Sequence, residues 1–311
     1  MKRTHCAVPC AAIVLGLAAV LAAGAAQRAR NGWNDDSDMK SFKTESIVKT
    51  LKFADSGKPG ELIVDNLFGP ITVEAYAGRD VELQAKRIVY ARDEARAAKA
   101  EAEVRLDITE KGNTVEAYVD GPFRENDNGE RGDVHMHRDP GYRVYYAFTL
   151  KVPARTDLVL STVVDGDIDV RGVEGAFDVR NVTGRVRLLD AAGSGKAQSV
   201  SNGVTVDFRR HPDGPCAFKS ISGDVEVDFP GQPSADFRFK TMNGEVYSDF
   251  DVTRLPKKAP AREERPAGPG GTYRYRSDGF NTVRAGNGGP EIQLETLTGD
   301  ILIAKRSKRT S

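Results

Sequence analysis

The stretch that decides the fold begins Asp165-Gly166-Asp167-Ile168-Asp169-Val170 and repeats its shape down the chain. Gly175-Ala176-Phe177-Asp178-Val179 follows, then Gly184-Arg185-Val186-Arg187-Leu188, Gly195-Lys196-Ala197-Gln198-Ser199-Val200 and Gly203-Val204-Thr205-Val206. Gly223-Asp224-Val225-Glu226-Val227 and Gly244-Glu245-Val246-Tyr247 continue the series, and segments at Gly289–Leu294 and Gly299–Ile303 close it. Each unit is a glycine turn followed by residues that alternate apolar and polar, the period-2 pattern of a half-buried strand. The strongest members, at 166, 184, 203, 223 and 244, step by 18, 19, 20 and 21 residues, with weaker members at 175 and 195 near the half-steps. Self-similarity of this kind marks a repeat architecture. A strand rises ~3.3 Å per residue, so a half-step of about ten residues holds one short strand and a turn. Two such strands make one coil of a solenoid, apolar side chains inward and Asp, Arg, Thr and Glu outward. Glycine at the corners would supply positive φ without a steric penalty. An antiparallel sandwich also spaces its strands every 8–12 residues, but the constant corner type at a regular full period favours the solenoid.

Working outward, Leu62–Val64, Ile71–Ala75 and Val81–Ala85 read as strands, with turns at Gly69-Pro70 and Gly78-Arg79-Asp80. Tyr90 to Glu103 is rich in Ala, Glu, Arg and Lys and predicts the one helix. Val104–Ile108 and Thr114–Val119 form a hairpin about Lys111-Gly112-Asn113, and the polar stretch 121–141 predicts an exposed loop. Tyr142 to Val152 alternates with Val144, Tyr146, Phe148 and Leu150 on one face, and Pro153 ends it. The fold class is therefore all-β: a single-domain β-solenoid or β-helix-like stack of short strands, with one short helix near its N-terminal part.

The first residues bear on compartment. Met1-Lys2-Arg3-Thr4-His5 is a basic start, Cys6 to Ala23 is apolar, and Ala23-Gly24-Ala25-Ala26 supplies small residues for cleavage after Ala25 or Ala26. These are the three parts of a secretory signal. Neither Cys6 nor Cys10 sits in a lipid-anchor pattern. The expected division is a signal peptide over 1–26, a polar disordered leader over 27–45 and the solenoid over 46–304. A flexible Pro/Gly-rich insertion occupies 255–272, and a basic tail 305–311. After cleavage 43 basic residues stand against 45 acidic ones, which argues against a nucleic-acid partner. Cys216 alone would remain, so no internal disulfide and no cysteine-rich zinc site is expected.

The order Gly69-Pro70-Ile71-Thr72-Val73, helix, Tyr142–Val152 strand ending in Val-Pro, then Asn/Asp/Ser-Gly-x-Ile/Val-x-Val units resembles a bacterial putative adhesin family. Thr296 to Ile303 is similar to that family's final coil. The likeness spans roughly residues 46–304 and rests on element order and repeat pattern. It implies an exported β-solenoid domain of unknown function and carries no catalytic set.

Several residue groups have the composition of a chemical site. His135 and His137, with Asp133 and Asp139, could hold a divalent metal if the segment were a strand, but they lie in a polar loop. Asp165, Asp167, Asp169 and Asp178 crowd neighbouring coils, with Asp224 and Glu226 stacked near them. In β-helical polysaccharide-cleaving enzymes such carboxylates form acid/base pairs or bind calcium. The polar side of an amphipathic strand accounts for them equally well, and no aromatic sugar platform accompanies them. Arg131-Gly132-Asp133 is a short cell-binding tripeptide of low specificity. Asn181-Val182-Thr183 fits a glycosylation sequon without weight in a bacterial export context. Ser161, Ser199 and Ser220 lack a Gly-x-Ser-x-Gly setting. No catalytic, cofactor-binding or metal site is therefore assigned.

The sequence thus points to an exported, periplasmic or surface, non-enzymatic adhesin-like protein that binds an envelope, glycan or cell-surface ligand, with no cofactor and no membrane span after signal removal. A β-helical polysaccharide-active enzyme is the alternative, and a structural envelope component is a third reading.

Overall fold

The computed structural model describes residues 38–55, 57–124, 139–256, 261–264, 273–276 and 279–306. The signal segment, His135, His137 and the Arg131-Gly132-Asp133 tripeptide lie outside the described residues.

The chain opens with β1 (Lys40–Leu51), β2 (Gly60–Asp65), β3 (Ile71–Tyr76) and β4 (Val81–Ala91), then helix α1 (Glu94–Glu103). The hairpin β5 (Arg105–Lys111) and β6 (Thr114–Asp120) leads to β7 (Tyr142–Pro153). From there the strands come in pairs: β8 (Thr156–Thr162) with β9 (Ile168–Arg171), β10 (Phe177–Asn181) with β11 (Val186–Ala191), and β12 (Gly195–Ser199) with β13 (Val204–Phe208). β14 (Cys216–Lys219) with β15 (Val225–Phe229) and β16 (Ala235–Lys240) with β17 (Val246–Ser248) follow. After β18 (Val252–Arg254), β19 (Ala261–Glu264), β20 (Tyr273–Arg276) and β21 (Asn281–Ala285), a last pair, β22 (Glu291–Glu295) and β23 (Ile301–Lys305), ends the series.

Each pair is one coil, contributing one strand to each of two sheets. The first sheet runs β1-β4-β7-β3-β9-β11-β13-β15-β23-β17 and the second β18-β21-β16-β22-β14-β12-β10-β8-β2-β6-β5. Within the stack the strands are parallel and in register, as in Val186 opposite Ile168 on one side and Val204 on the other. The alternation read from sequence places Val186, Leu188, Val204, Val206, Val225 and Val227 inside, against Phe177, Val179, Phe218, Ile292 and Leu294 of the facing sheet. Stacked aromatic contacts, Phe177 on Phe218 and Phe208 on Phe229, fill the middle of the core. Cys216 is among these buried groups, and burial pushes its thiol up to about 11. Its labelling by a disulfide reagent at neutral pH should therefore require denaturant, because the thiolate is the reactive species. Prompt labelling of the folded chain would contradict this packing.

The coils do not stack in chain order. The β22–β23 coil, last in sequence, slots between the β14–β15 and β16–β17 coils. At the other end β2–β3 lies between β6–β7 and β8–β9. The segment Thr296–Ile303 is thus the last coil of the chain but not of the stack. At the first end, antiparallel β1 and β4 extend one sheet, β5 extends the other, and α1 packs Ala97 and Ala100 into the core.

Three boundaries differ from the sequence reading. The helix begins at Glu94, capped by Asp93, whose side chain accepts the Arg96 N–H, while Tyr90 and Ala91 belong to β4. β1 begins at Lys40, inside the segment read as leader. It is an edge strand held by backbone pairing with β4, so most of its side chains stay exposed and no alternation announces it. The insertion read as a flexible loop carries β19 and pairs it antiparallel with β20.

One corner of every coil is built the same way. Gly166, Gly184 and Gly244 each approach a neighbouring coil so closely that an added Cβ would fall within 2.0 Å of a backbone oxygen there. Positive φ is needed only at Gly69, Gly223 and Gly299 of this set, so close approach, more than φ, selects glycine. Beside the glycines runs a buried polar column. The side chains of Thr162, Asn181, Ser199, Thr296 and Thr241 each donate to the carbonyl of the corner glycine one coil away, at 2.8–3.1 Å. Ser220 does the same to Asn202 O at 2.9 Å, and Asn66 starts the column by donating to Gly69 O. Buried carbonyls that strand pairing leaves free at a bend must find donors, and this column supplies them.

Candidate functional site

Of the candidate catalytic carboxylates, Asp167, Asp169 and Asp224 bond across neighbouring coils. Asp167 accepts the backbone N–H of Arg185 at 2.9 Å, Asp224 that of Asp300 at 2.8 Å, and Asp300 that of Glu245 at 2.8 Å. Each is the residue after a corner glycine, reaching to the equivalent residue one coil on. Asp169 forms a two-bond pair with Arg187 of the next strand, and this raises the guanidinium further above its ordinary value. Asp178 pairs with Arg180 two residues along its own strand. Ser199 and Ser220 belong to the buried polar column, and Ser161 donates to Asp65 at 2.7 Å. Asn181, read as a sequon, is buried in that column. Asp139, the described member of the metal candidates, pairs with Arg92 at 2.8 Å. Among the described residues there is no cluster of three metal-ligating side chains. Replacing Asp169 by Asn should cost less than about 1 kcal/mol, since an exposed ion pair contributes little. Chemical denaturation would reveal a larger loss.

The start of the basic tail is also built in. Lys305 ends β23, and Arg306 pairs with Asp207 at 2.9 Å and with Asp190.

What the coils present outward at the corner is an aliphatic row. In five successive coils the residue after the polar-column member is Val182, Val200, Ile221, Leu297 and Met242, and these are 38, 39, 37, 43 and 68% exposed. Backbone bonds from Ser201 N to Val182 O, Ser222 N to Val200 O, Thr298 N to Ile221 O and Asn243 N to Leu297 O hold the row coil to coil. Its members therefore recur at the strand spacing of ~4.8 Å. Thr183, Ser201, Ser222, Thr298 and Asn243 stand beside it, all exposed. In the first coil the equivalent residue, Leu67, is buried in a second apolar cluster with Phe68, Ile88, Tyr145 and Val164. The row is thus covered at one end by the chain's own side chains and open along the rest. The sequence carried a signal for it, since Asn181-Val182-Thr183-Gly184, Ser220-Ile221-Ser222-Gly223 and Thr296-Leu297-Thr298-Gly299 share one pattern.

Two sheets of short parallel strands, closed by a glycine corner and an internal polar column, define a solenoid-like β protein. Residues 154–268 match the model of the Toastrack family, DUF4097. Among solved structures it is similar to a putative cell adhesion protein from Clostridium sporogenes ATCC 15579, at 10% identity over 85% of this chain and 100% of that one, with a TM-score of 0.41. It is also similar to a putative adhesin from Bacteroides fragilis NCTC 9343, at 12% identity over 84% and 97% of the two chains, with a TM-score of 0.30. A putative lipid binding protein from Parabacteroides distasonis ATCC 8503 matches at 12% identity over 85% and 97%, with a TM-score of 0.28. No curated protein matches the chain. No described helix is long and apolar enough to cross a membrane.

Proposed function

We propose that the protein is an exported, non-enzymatic, adhesin-like component of the cell envelope that acts by binding a partner along its solenoid surface. The observation that carries this reading is the exposed aliphatic row of Val182, Val200, Ile221, Leu297 and Met242. Isolated apolar residues are ordinary on protein surfaces, whereas a contiguous apolar strip rimmed by polar groups marks an interaction site. The pairing of Asp167 with Arg185 and of Asp169 with Arg187 supports a binding role over catalysis, because those carboxylates already have structural work. Export is supported by the basic, apolar and small-residue succession over residues 1–26.

Fractionation of cells that express the tagged full chain tests export: the processed protein should appear in the periplasmic or surface fraction. Purified protein should then sediment with isolated envelopes above background. Recovery in the cytoplasm, or no binding to envelope, glycan or cell, would overturn the proposal.

A further inference from the structure

A cleft of about 270 Å³ opens at the first end of the solenoid, at the corner opposite the aliphatic row. Three turns meet there: the β1–β2 loop with Lys58, the β3–β4 turn with Arg79 and the β7–β8 turn with Arg155. Phe53, Pro59 and Pro153 form the apolar part of its lining, and no acidic residue lines it.

The arginines single this cleft out. Many outward guanidiniums elsewhere on the solenoid are matched: Arg180, Arg185 and Arg187 by aspartates, Arg238 by Glu291 and Arg284 by Asp236. Arg143 lies over the ring of Phe68. Among the arginines whose side chains are described, Arg79, Arg155 and Arg254 have neither an acidic nor an aromatic partner, and Arg79 and Arg155 line the same cleft. Lys58 adds a third cation, in contact with Asp55 at 3.2 Å and well exposed.

The walls are held in place. Asn113, in the β5–β6 turn, accepts from Asp55 N and donates to Asp55 O and Pro59 O, pinning the first loop. Asp55 also accepts the Gly57 N–H at 2.9 Å. The Phe53 ring lies against Gly60 and the Tyr76 ring against Gly78, each closer than a Cβ would allow. Tyr76 is fixed by donating to Asp80 O at 2.8 Å. A cleft lined by two guanidiniums without acidic partners favours a planar or tetrahedral oxyanion, which the guanidinium fork meets with two parallel hydrogen bonds. Apolar lining beside the cations suits the ring of a sugar that bears the anion.

We infer that this cleft binds an acidic saccharide, a sugar carrying a carboxylate or a sulfate. The site is separate from the aliphatic row, so it rests on the proposed surface-binding role without sharing residues with it.

Calorimetric titration of the full chain tests this with four probes: a short oligogalacturonate, a sulfated oligosaccharide, a neutral oligosaccharide of matched length and inorganic sulfate. At least one acidic oligosaccharide should bind, the one preferred identifying the anion, and added salt should weaken it. The double variant Arg79→Ala/Arg155→Ala should weaken that binding at least ~tenfold, while Arg254→Ala leaves it unchanged. All three arginines are exposed, so the variants should keep the wild-type circular dichroism and melting. Equal binding of the neutral oligosaccharide, undiminished binding by the double variant, binding of inorganic sulfate as tight as that of the sugars, or no acidic saccharide bound would each overturn the assignment. If envelope binding persists while every saccharide fails, this cleft falls and the role of the aliphatic row stands.

Discussion

Removing residues 289–311 should abolish the folded state of the distal half of the solenoid, although only one coil is deleted. That coil lies inside the stack, so its loss strips β14 and β15 of one neighbour each and leaves β16 and β17 without their parallel partners. It also removes Ile292, Leu294, Ile301 and Ile303, all buried. At about 1.5–3 kcal/mol for each buried aliphatic side chain, the loss from these four alone is roughly 6–12 kcal/mol. Total domain stability is typically about 5–15 kcal/mol. The truncated chain should lose its cooperative melt and become sensitive to protease beyond residue 230. A wild-type melting profile would mean that the last coil is an appendage.

Gly184→Ala should be nearly as damaging for a single methyl group. The added Cβ would stand 1.9 Å from Gly166 O and 2.6 Å from the side-chain nitrogen of Asn181. Either the coils separate or the Asn181 bonds to Gly166 O and Gly184 N break, and both groups are buried. Overpacking of about 1–3 kcal/mol joins the cost of unsatisfied buried polar groups, about 1–3 kcal/mol each, for a total near 3–5 kcal/mol. In a chain of this size that should lower the melting temperature by roughly 10 °C. Gly231→Ala is the matched control, since nothing lies within 4 Å of its added Cβ. Similar melting of the two variants would rule out close approach as the reason for the corner glycine.

The parts of this fold legible in the sequence are those set by side-chain period. Alternation in Val186-Arg187-Leu188 and its counterparts identifies strands, and the regular corner glycines identify coils with two strands each. Stacking order is not legible, because β22–β23 has the same pattern whether it lies at the end of the pile or inside it. β1 is hidden for a different reason: an edge strand held by its backbone needs no apolar face. The candidate site divides in the same way. Outward carboxylates such as Asp167 and Asp169 read equally well as catalytic or structural until the partner on the next coil is known. The aliphatic row was present in the text as the residue between a Ser, Thr or Asn and a second polar residue before the glycine. Its continuity depends on Leu297 entering between Ile221 and Met242, which only the interleaved stack provides.

The most direct test of a binding role for that row is envelope binding by the triple variant Val182→Asp/Val200→Asp/Ile221→Asp. These side chains are exposed, so the variant should melt as the wild type does. Three charges at consecutive positions of an apolar strip should reduce affinity for isolated envelopes at least ~tenfold, the effect of losing about 1.4 kcal/mol. Wild-type binding by a folded triple variant would contradict the account.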